Sequence, residues 1–545
     1  MILDNANVLT MDAALPRAKA IAIAGGKILG GVDSREDAIA SHAHERIDLK
    51  GLTIVPGFVE SHCHFRAWAL QRHRLQLDGA PSLDGLLDRV RVHATVPAVD
   101  DDLPGPPRSI EPRESDEWIL GGGWSNELLP AGTQVATLLD DAASGRPAAL
   151  HSRDGHALWT TPRALERLGL SLDQLDVPGG VVERDASGEF TGVLREESAW
   201  IVRRVLPDDD LDMKVLATAM REAARRGVTS LHDMDGAVAL RSWRSIEDER
   251  GLALRVWVHL LAADLPHIEA LGLGAGWGSD RLAIGALKLY ADGTLGSGTA
   301  LVHEPELARE GEQPREGVAI VPASELRSLA RRAGAAGLPL AVHAIGDRAF
   351  TDVLDALEAT REHWDHLAMR PRIEHAQLVR FDDLARAAKL GVALAVQPSM
   401  LVSDRDEADA RWGERTERAY AYRAMVDAGC GILLGSDAPI EDLRPLAALH
   451  AATDRDGGAH ELGDARGPWH PEQALDAETA LLASTAWPAD ATGVGHRVGR
   501  LVPGREADLV VLSADPLSTP FADLEVVATM VGGRWTYGAA NLGVR

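Results

Sequence analysis

Cysteine is almost absent. Cys63 and Cys430 are the two in 545 residues, far apart and flanked by strand-like runs, which argues against a disulfide framework. Positive charge is also scarce: 56 Lys and Arg stand against 82 Asp and Glu, a formal net charge of -26. No long Lys/Arg run offsets that excess, so a nucleic-acid partner is excluded because its phosphate backbone would be repelled. The surplus acid reads as a solubility device. No window approaches ~18 uninterrupted apolar residues, so no membrane span is expected. The opening residues Met1-Ile2-Leu3-Asp4-Asn5 lack the basic start and apolar stretch of a secretory signal. No internal repeat or low-complexity tract stands out. These absences point to a reducing, cytoplasmic setting and to a small-molecule partner, and a homodimer would be compatible with all of them.

What is present is ordinary for a globular chain, 45% hydrophobic and 25% charged, so a packed core is expected. The first ~54 residues read as short strands punctuated by Gly25-Gly26, and the last ~50 read the same way around Gly532-Gly533. Two β-rich ends around a different middle predict one small β-sandwich built from residues 1–54 and 497–545. The middle, 55–496, alternates short apolar runs with Ala/Arg/Glu/Leu-rich helical stretches, the pattern of a parallel βα architecture. Eight candidate strands are predicted at 53–62, 228–234, 254–260, 284–291, 338–343, 371–375, 392–397 and 431–436. Eight such units indicate a closed (β/α)8 TIM barrel of the α/β class. The first and second strands are about 165 residues apart, far more than a crossover needs, so an inserted subdomain is expected over about 75–210.

His62-Cys63-His64 ends the first barrel strand. Residues two apart on a strand project to the same face, so both imidazoles can reach one point while Cys63 turns away into packing. Imidazole is a common ligand for zinc and related divalent ions. Alone, the pair is weak evidence, since most such histidines are simply hydrogen-bonded. Its weight comes from Lys288, His343, His375 and Asp437, each at the end of a later candidate strand, because the C-terminal mouth is where catalytic groups of such barrels gather.

With those residues in order, the chain resembles the amidohydrolase superfamily, and within it the YtcJ-like branch that includes N-substituted formamide deformylases. The resemblance is carried by Pro56-Gly57-Phe58-Val59-Glu60-Ser61-His62-Cys63-His64, by Lys288 in Lys-Leu-Tyr-Ala-Asp-Gly-Thr-Leu-Gly-Ser, and by His343 in His-Ala-Ile-Gly-Asp-Arg-Ala. Arg372-Ile373-Glu374-His375-Ala376-Gln377, Gly435-Ser436-Asp437-Ala438-Pro439 and the tail from Pro503 to Val510 complete it. The resemblance implies a metal site of one or two ions, zinc by default, held by His62, His64, Lys288, His343, His375 and Asp437. It implies that CO2 carboxylates Lys288, since an ammonium has three donors and no acceptor and cannot ligate a cation. It also implies hydrolysis of a non-peptide carbon–nitrogen bond, in an N-substituted formamide or N-acyl compound, by metal-activated water with Asp437 as general base.

Cyclic amide or ester hydrolysis on the same site is the first alternative. A mononuclear deaminase is weaker, because the carboxylate that such chemistry places three residues after the strand-five histidine is here Gly346. A non-catalytic scaffold is weakest, because no ligand position is lost. Trp124, Arg153 and His156 in the insertion, and Gln397 at the end of the seventh strand, are candidate substrate contacts. One departure from the branch is Gly298, where Arg often follows the Gly-Ser.

Overall fold

The computed structural model describes residues 1–29, 45–95, 118–125, 128–129, 132–152, 157–177, 179–206, 213–307, 314–458 and 466–544. Eight strands form one parallel sheet in sequential order: β1 (Phe58–Cys63), β2 (Val228–Asp233), β3 (Arg255–Leu261), β4 (Leu282–Tyr290), β5 (Leu340–Ala344), β6 (Arg372–His375), β7 (Ala393–Val396) and β8 (Ile432–Leu434). The seam between β8 and β1 is joined just beyond β8 by a parallel bridge from Cys63 to Ala438. There Asp437 N donates to His62 O at 2.7 Å and His64 N donates to Ala438 O at 2.7 Å. The predicted barrel is thus present, and its closure is made by the site residues themselves.

The helices between strands bury one face each. In Ala323–Ala335 the buried residues include Leu326, Leu329, Ala330 and Ala333, the 3.6-residue spacing of a stripe laid on a sheet. Asp347–Ala359 does the same with Phe350, Val353, Leu354 and Leu357.

The predicted strand over 53–62 is two strands. Thr53–Pro56 leaves the barrel and pairs antiparallel with Leu509–Leu512, Val55 opposite Val510, and parallel with Asn7–Leu9. Gly57 makes the break, and a Cβ there would lie 2.1 Å from the Thr229 side chain. The terminal segments form a four-stranded and a six-stranded sheet around one apolar cluster that includes Leu3, Val8, Ile21, Ile54, Leu509, Val511 and Met530.

A buried ion pair ties this β-rich part to the barrel. Arg255, on β3, donates through Nε and Nη2 to the two carboxylate oxygens of Asp508 at 2.6 and 3.0 Å. Asp508 Oδ1 also accepts from Gly532 N at 2.7 Å. The side chains of Arg255 and Asp508 are 7% and 4% exposed, so removing Asp508 strips the guanidinium of its bidentate carboxylate in a poor solvent and leaves it the longer contact to Glu506 at 3.4 Å and the carbonyl of Asp280 at 3.0 Å. Asp508→Ala is therefore expected to cost about 3–5 kcal/mol, read as a lowered midpoint in thermal or denaturant unfolding.

Residues 69–215 form a second compact unit. Its mixed sheet runs in the order Gly180–Arg184, Phe190–Glu196, Ala157–Thr160, Ala148–Ser152, Ile119–Trp124, Leu75–Gln76. Its core gathers Leu86, Trp124, Leu139, Leu150 and Trp159. Among the described residues no helix is long and apolar enough to cross a membrane.

Candidate metal centre

The ends of β1, β4, β5, β6 and β8 bring the predicted residues into one buried cluster. Ligand atoms of His62, His64 and Asp437 all lie within 4.8 Å of one another. Asp437 Oδ1 is 3.4 Å from His62 Nε2 and 3.5 Å from His64 Nε2. The His375 ring centroid is 4.9 Å from that of His62 and 4.4 Å from that of His343. Lys288 is 1% exposed, with its Nζ 5.0 Å from the centroid of the Tyr290 ring.

Strand alternation alone would not assemble this set. Arg372 and Glu374 share the inward face of β6, which would send His375 outward. His375 and Ala376 instead adopt φ of +74° and +46°, and Asp437 adopts +58°. Non-glycine residues in that left-handed region cost roughly 1–3 kcal/mol each and gather at functional sites. Here the twist turns His375 back toward His62.

The hydrogen bonds sort the four histidines by tautomer. His62 Nδ1 donates to Glu374 Oε2 at 2.6 Å, His64 Nδ1 to Asp235 Oδ1 at 2.7 Å, and His375 Nδ1 to Gln397 Oε1 at 2.9 Å. Each of these leaves Nε2 with a free lone pair. His343 is reversed: its Nε2 donates to Gly293 O at 3.0 Å, leaving Nδ1. Four imidazoles, each with one ring nitrogen outside these hydrogen bonds, are a donor set for a divalent cation of the zinc class.

Electrostatics agree. Burial, with the nearby Lys288 charge, holds His62 well below the usual histidine range and His343 down at about 3. Burial also lowers His375, helped by the neighbouring His343. His64 is the exception: against its burial, the hydrogen bond to Asp235 and the charge of Asp437 raise it. The negative field that would hold a proton on His64 is the field that would hold a cation in its place. Burial pushes Asp437 up to about 6, and its Oδ1 has no hydrogen-bond partner. Burial lowers Lys288 to about 8, and its Nζ likewise has none. The orphaned Asp437 oxygen, grouped with the nitrogens of His62 and His64, fits a bound cation.

Glu60 was not predicted. Its Oε1 accepts from His62 N at 3.0 Å and Ser436 N at 2.8 Å, pinning the first strand to the last. Gly435 permits this approach, since a Cβ there would lie 2.7 Å from His62 N. Burial pushes the Glu60 carboxyl up to about 7. A folded-state value above the unfolded one means that the native state binds the extra proton. The stability from this group is thus complete below about 4.5 and is lost as pH rises toward 7. Glu60→Gln keeps an acceptor and removes the titration. In the metal-free protein its unfolding free energy relative to wild type should rise between pH 5 and pH 8 by on the order of 1–3 kcal/mol, a trend that paired melts at the two pH values would show.

Asp292 was also missed. It accepts backbone N–H groups from Leu301, Ile345 and Gly346 at 2.9, 3.0 and 2.8 Å, locking the loop after β4 to the end of β5. Asp235 and Glu374 escaped notice as histidine partners. The available signal was a carboxylate at the end of β2, and two opposite charges, Arg372 and Glu374, on one face of a buried strand.

The candidate substrate contacts fare differently. Gln397 is buried and bonded to His375, so its visible role is to orient a ligand. Trp124 is fully buried in the core of the second unit, its Nε1 donating to Leu150 O at 2.8 Å; its visible role is packing. Arg153 and His156 lie outside the described residues. Gly298 has φ +64°, and a Cβ there would lie 2.5 Å from Arg411 Nη1. Arg411 in turn pairs with Glu306 and Glu407. The departure at 298 is thus set by backbone conformation and by the guanidinium packed over it.

Comparison with known proteins accords with this geometry. Residues 45–537 match the model of the amidohydrolase family. The putative amidohydrolase YtcJ of Bacillus subtilis is 28% identical over 540 residues, covering 96% of each chain. An N-substituted formamide deformylase of Arthrobacter pascens is 28% identical over 562 residues, covering 98% of each. Among solved structures, an uncharacterized metal-dependent hydrolase from Pyrococcus horikoshii superposes with a TM-score of 0.78 at 27% identity, over 96% of this chain and 99% of that one. A barrel whose strand ends gather these histidines, Lys288 and Asp437, and a family match spanning most of the sequence, lead to one conclusion: the chain belongs to the amidohydrolase family of metal-dependent hydrolases.

Proposed function

We propose that the protein hydrolyses a non-peptide carbon–nitrogen bond of a small molecule, an N-substituted formamide or a related N-acyl compound. The observation that carries the proposal is the meeting of His62, His64 and Asp437 within 4.8 Å beside the buried Lys288 amine. The resemblance to the Arthrobacter deformylase supports the substrate class.

His62, His64 and His375 through Nε2, His343 through Nδ1, and Asp437 through a carboxylate oxygen would hold the metal, with zinc as the default ion for such donors. When bound, the ion supplies Lewis acidity, making water nucleophilic near neutral pH and polarising the scissile carbonyl. Asp437 takes the proton of the attacking water and returns it to the leaving amine. Its buried Oδ1, which has no hydrogen-bond partner and lies at about equal distances from His62 and His64, is placed for that transfer.

Lys288 enters as its carbamate. The neutral amine adds to the carbon of CO2, forming an N–C bond as one C=O π pair moves to oxygen and the nitrogen loses a proton to solvent, and the product carries one negative charge shared by two oxygens. Burial favours the step by increasing the share of neutral amine at physiological pH.

Ring deamination is disfavoured by a specific observation. A side chain at 346 would lie 2.0 Å from Leu301 O, so the position three residues after His343 cannot carry a carboxylate in this backbone. A panel of N-formyl amines, N-acyl amino acids, cyclic imides and esters, assayed with zinc-loaded protein, tests the substrate class. Formate or carboxylate release from the first two groups is expected; turnover confined to imides or esters would replace the proposal with the alternative chemistry.

A further inference from the structure

Three of the four site histidines rest on side chains, and those three partners differ. His375 rests on the neutral amide of Gln397, and His64 on Asp235 at the margin of the site. His62 rests on Glu374, a carboxylate with no exposure at all. Burying that charge is costly unless every oxygen is satisfied, and here each is. Glu374 Oε1 accepts from Arg372 Nε at 2.5 Å, and Oε2 accepts from Arg372 Nη2 at 3.0 Å as well as from His62. Arg372 is itself held: Nη2 donates to Ser61 O at 2.5 Å and Nη1 to His232 Nδ1 at 3.1 Å. His232 Nδ1 also accepts from His259 Nε2 at 3.0 Å, because His259 Nδ1 is occupied by Ala286 N at 3.2 Å. The chain of fixed donors thus runs from the barrel interior to one imidazole.

We propose that Glu374, anchored by Arg372, is a positioning residue that fixes the tautomer of His62 and makes its Nε2 a stronger donor to the bound ion; this rests on the metal-hydrolase reading above. A neutral acceptor would suffice to orient a ring, as Gln397 does for His375. An ionised acceptor does more: it pulls the Nδ1 proton and leaves more electron density at Nε2, which raises ligand basicity. The geometry leaves Glu374 no second task, since neither oxygen has further partners among the described residues. Arg372 keeps the pair neutral overall, so the field at the neighbouring Lys288 is not dominated by one uncompensated carboxylate.

The test compares the full-length wild type with Glu374→Gln in competition for Zn2+ against a chromophoric chelator, together with the visible spectrum of the Co2+-loaded proteins. The variant is expected to bind ~10–100-fold more weakly and to show a shifted Co2+ band, with part of its turnover returning as free metal is raised. Affinity within twofold of wild type and a superimposable spectrum would overturn the proposal while leaving the hydrolase reading intact. A wild type that binds no ion would remove both. If Glu374→Gln does not fold because Arg372 is left unpaired, Arg372→Gln/Glu374→Gln removes both charges together and faces the same two readouts.

Discussion

Asp437→Asn is expected to abolish most turnover, roughly 10²–10⁴-fold, while the protein keeps its metal. The asparagine retains a carbonyl oxygen of nearly the same shape, so a ligand contact can persist where a proton acceptor cannot. Asp437 is buried and pushed up to about 6, and a general base works only when deprotonated. The wild-type rate should therefore fall as pH drops through that region, with a bound cation moving the limb lower, and the residual rate of Asp437→Asn should lack the limb. Metal analysis alongside steady-state kinetics checks both parts. Near-normal turnover with full metal content would end the assignment of Asp437 as base.

The second large effect is expected at Lys288. Lys288→Met preserves the length of a buried apolar stem and removes the amine, so the barrel should fold while the site loses the carbamate proposed there. Outer partners of a metal ligand are already worth ~10–100-fold in affinity or activity, and a direct ligand should cost at least that much. Metal stoichiometry should drop by about one ion per chain, a change beyond what the loss of a surface-type ion pair would produce. Acetate added to Lys288→Ala, where space is opened, should restore part of the rate by supplying the missing carboxylate oxygens. Full metal content and activity in Lys288→Met would leave the lysine with a role in packing alone.

Both predictions rest on residues legible in the sequence, and the reason is local. His62 and His64 are two apart on a strand, and Lys288, His343, His375 and Asp437 lie at the ends of short apolar runs that read as strands. Chain order then suffices, because a (β/α)8 barrel places all C-terminal strand ends on one face. The β-sandwich was legible for a similar reason, as Gly pairs between short apolar runs at both ends. The break inside residues 53–62 was not, because it depends on Thr229 of the neighbouring strand crowding Gly57.

What the sequence by itself determined is the set of residues that meet at the mouth of the barrel, since periodicity and order fix which strand ends carry them. What only the tertiary structure decided is how those residues are presented. Glu374 reaches His62 across 312 positions and Asp235 reaches His64 across 171. The turn that brings His375 inward after Glu374 is a left-handed backbone conformation that no side-chain pattern announces. Gln397 became a partner of His375, and Trp124 part of a core, by the same rule. A side chain's chemistry is written in its own residue, but its tautomer, charge and direction are set by the groups that folding packs against it.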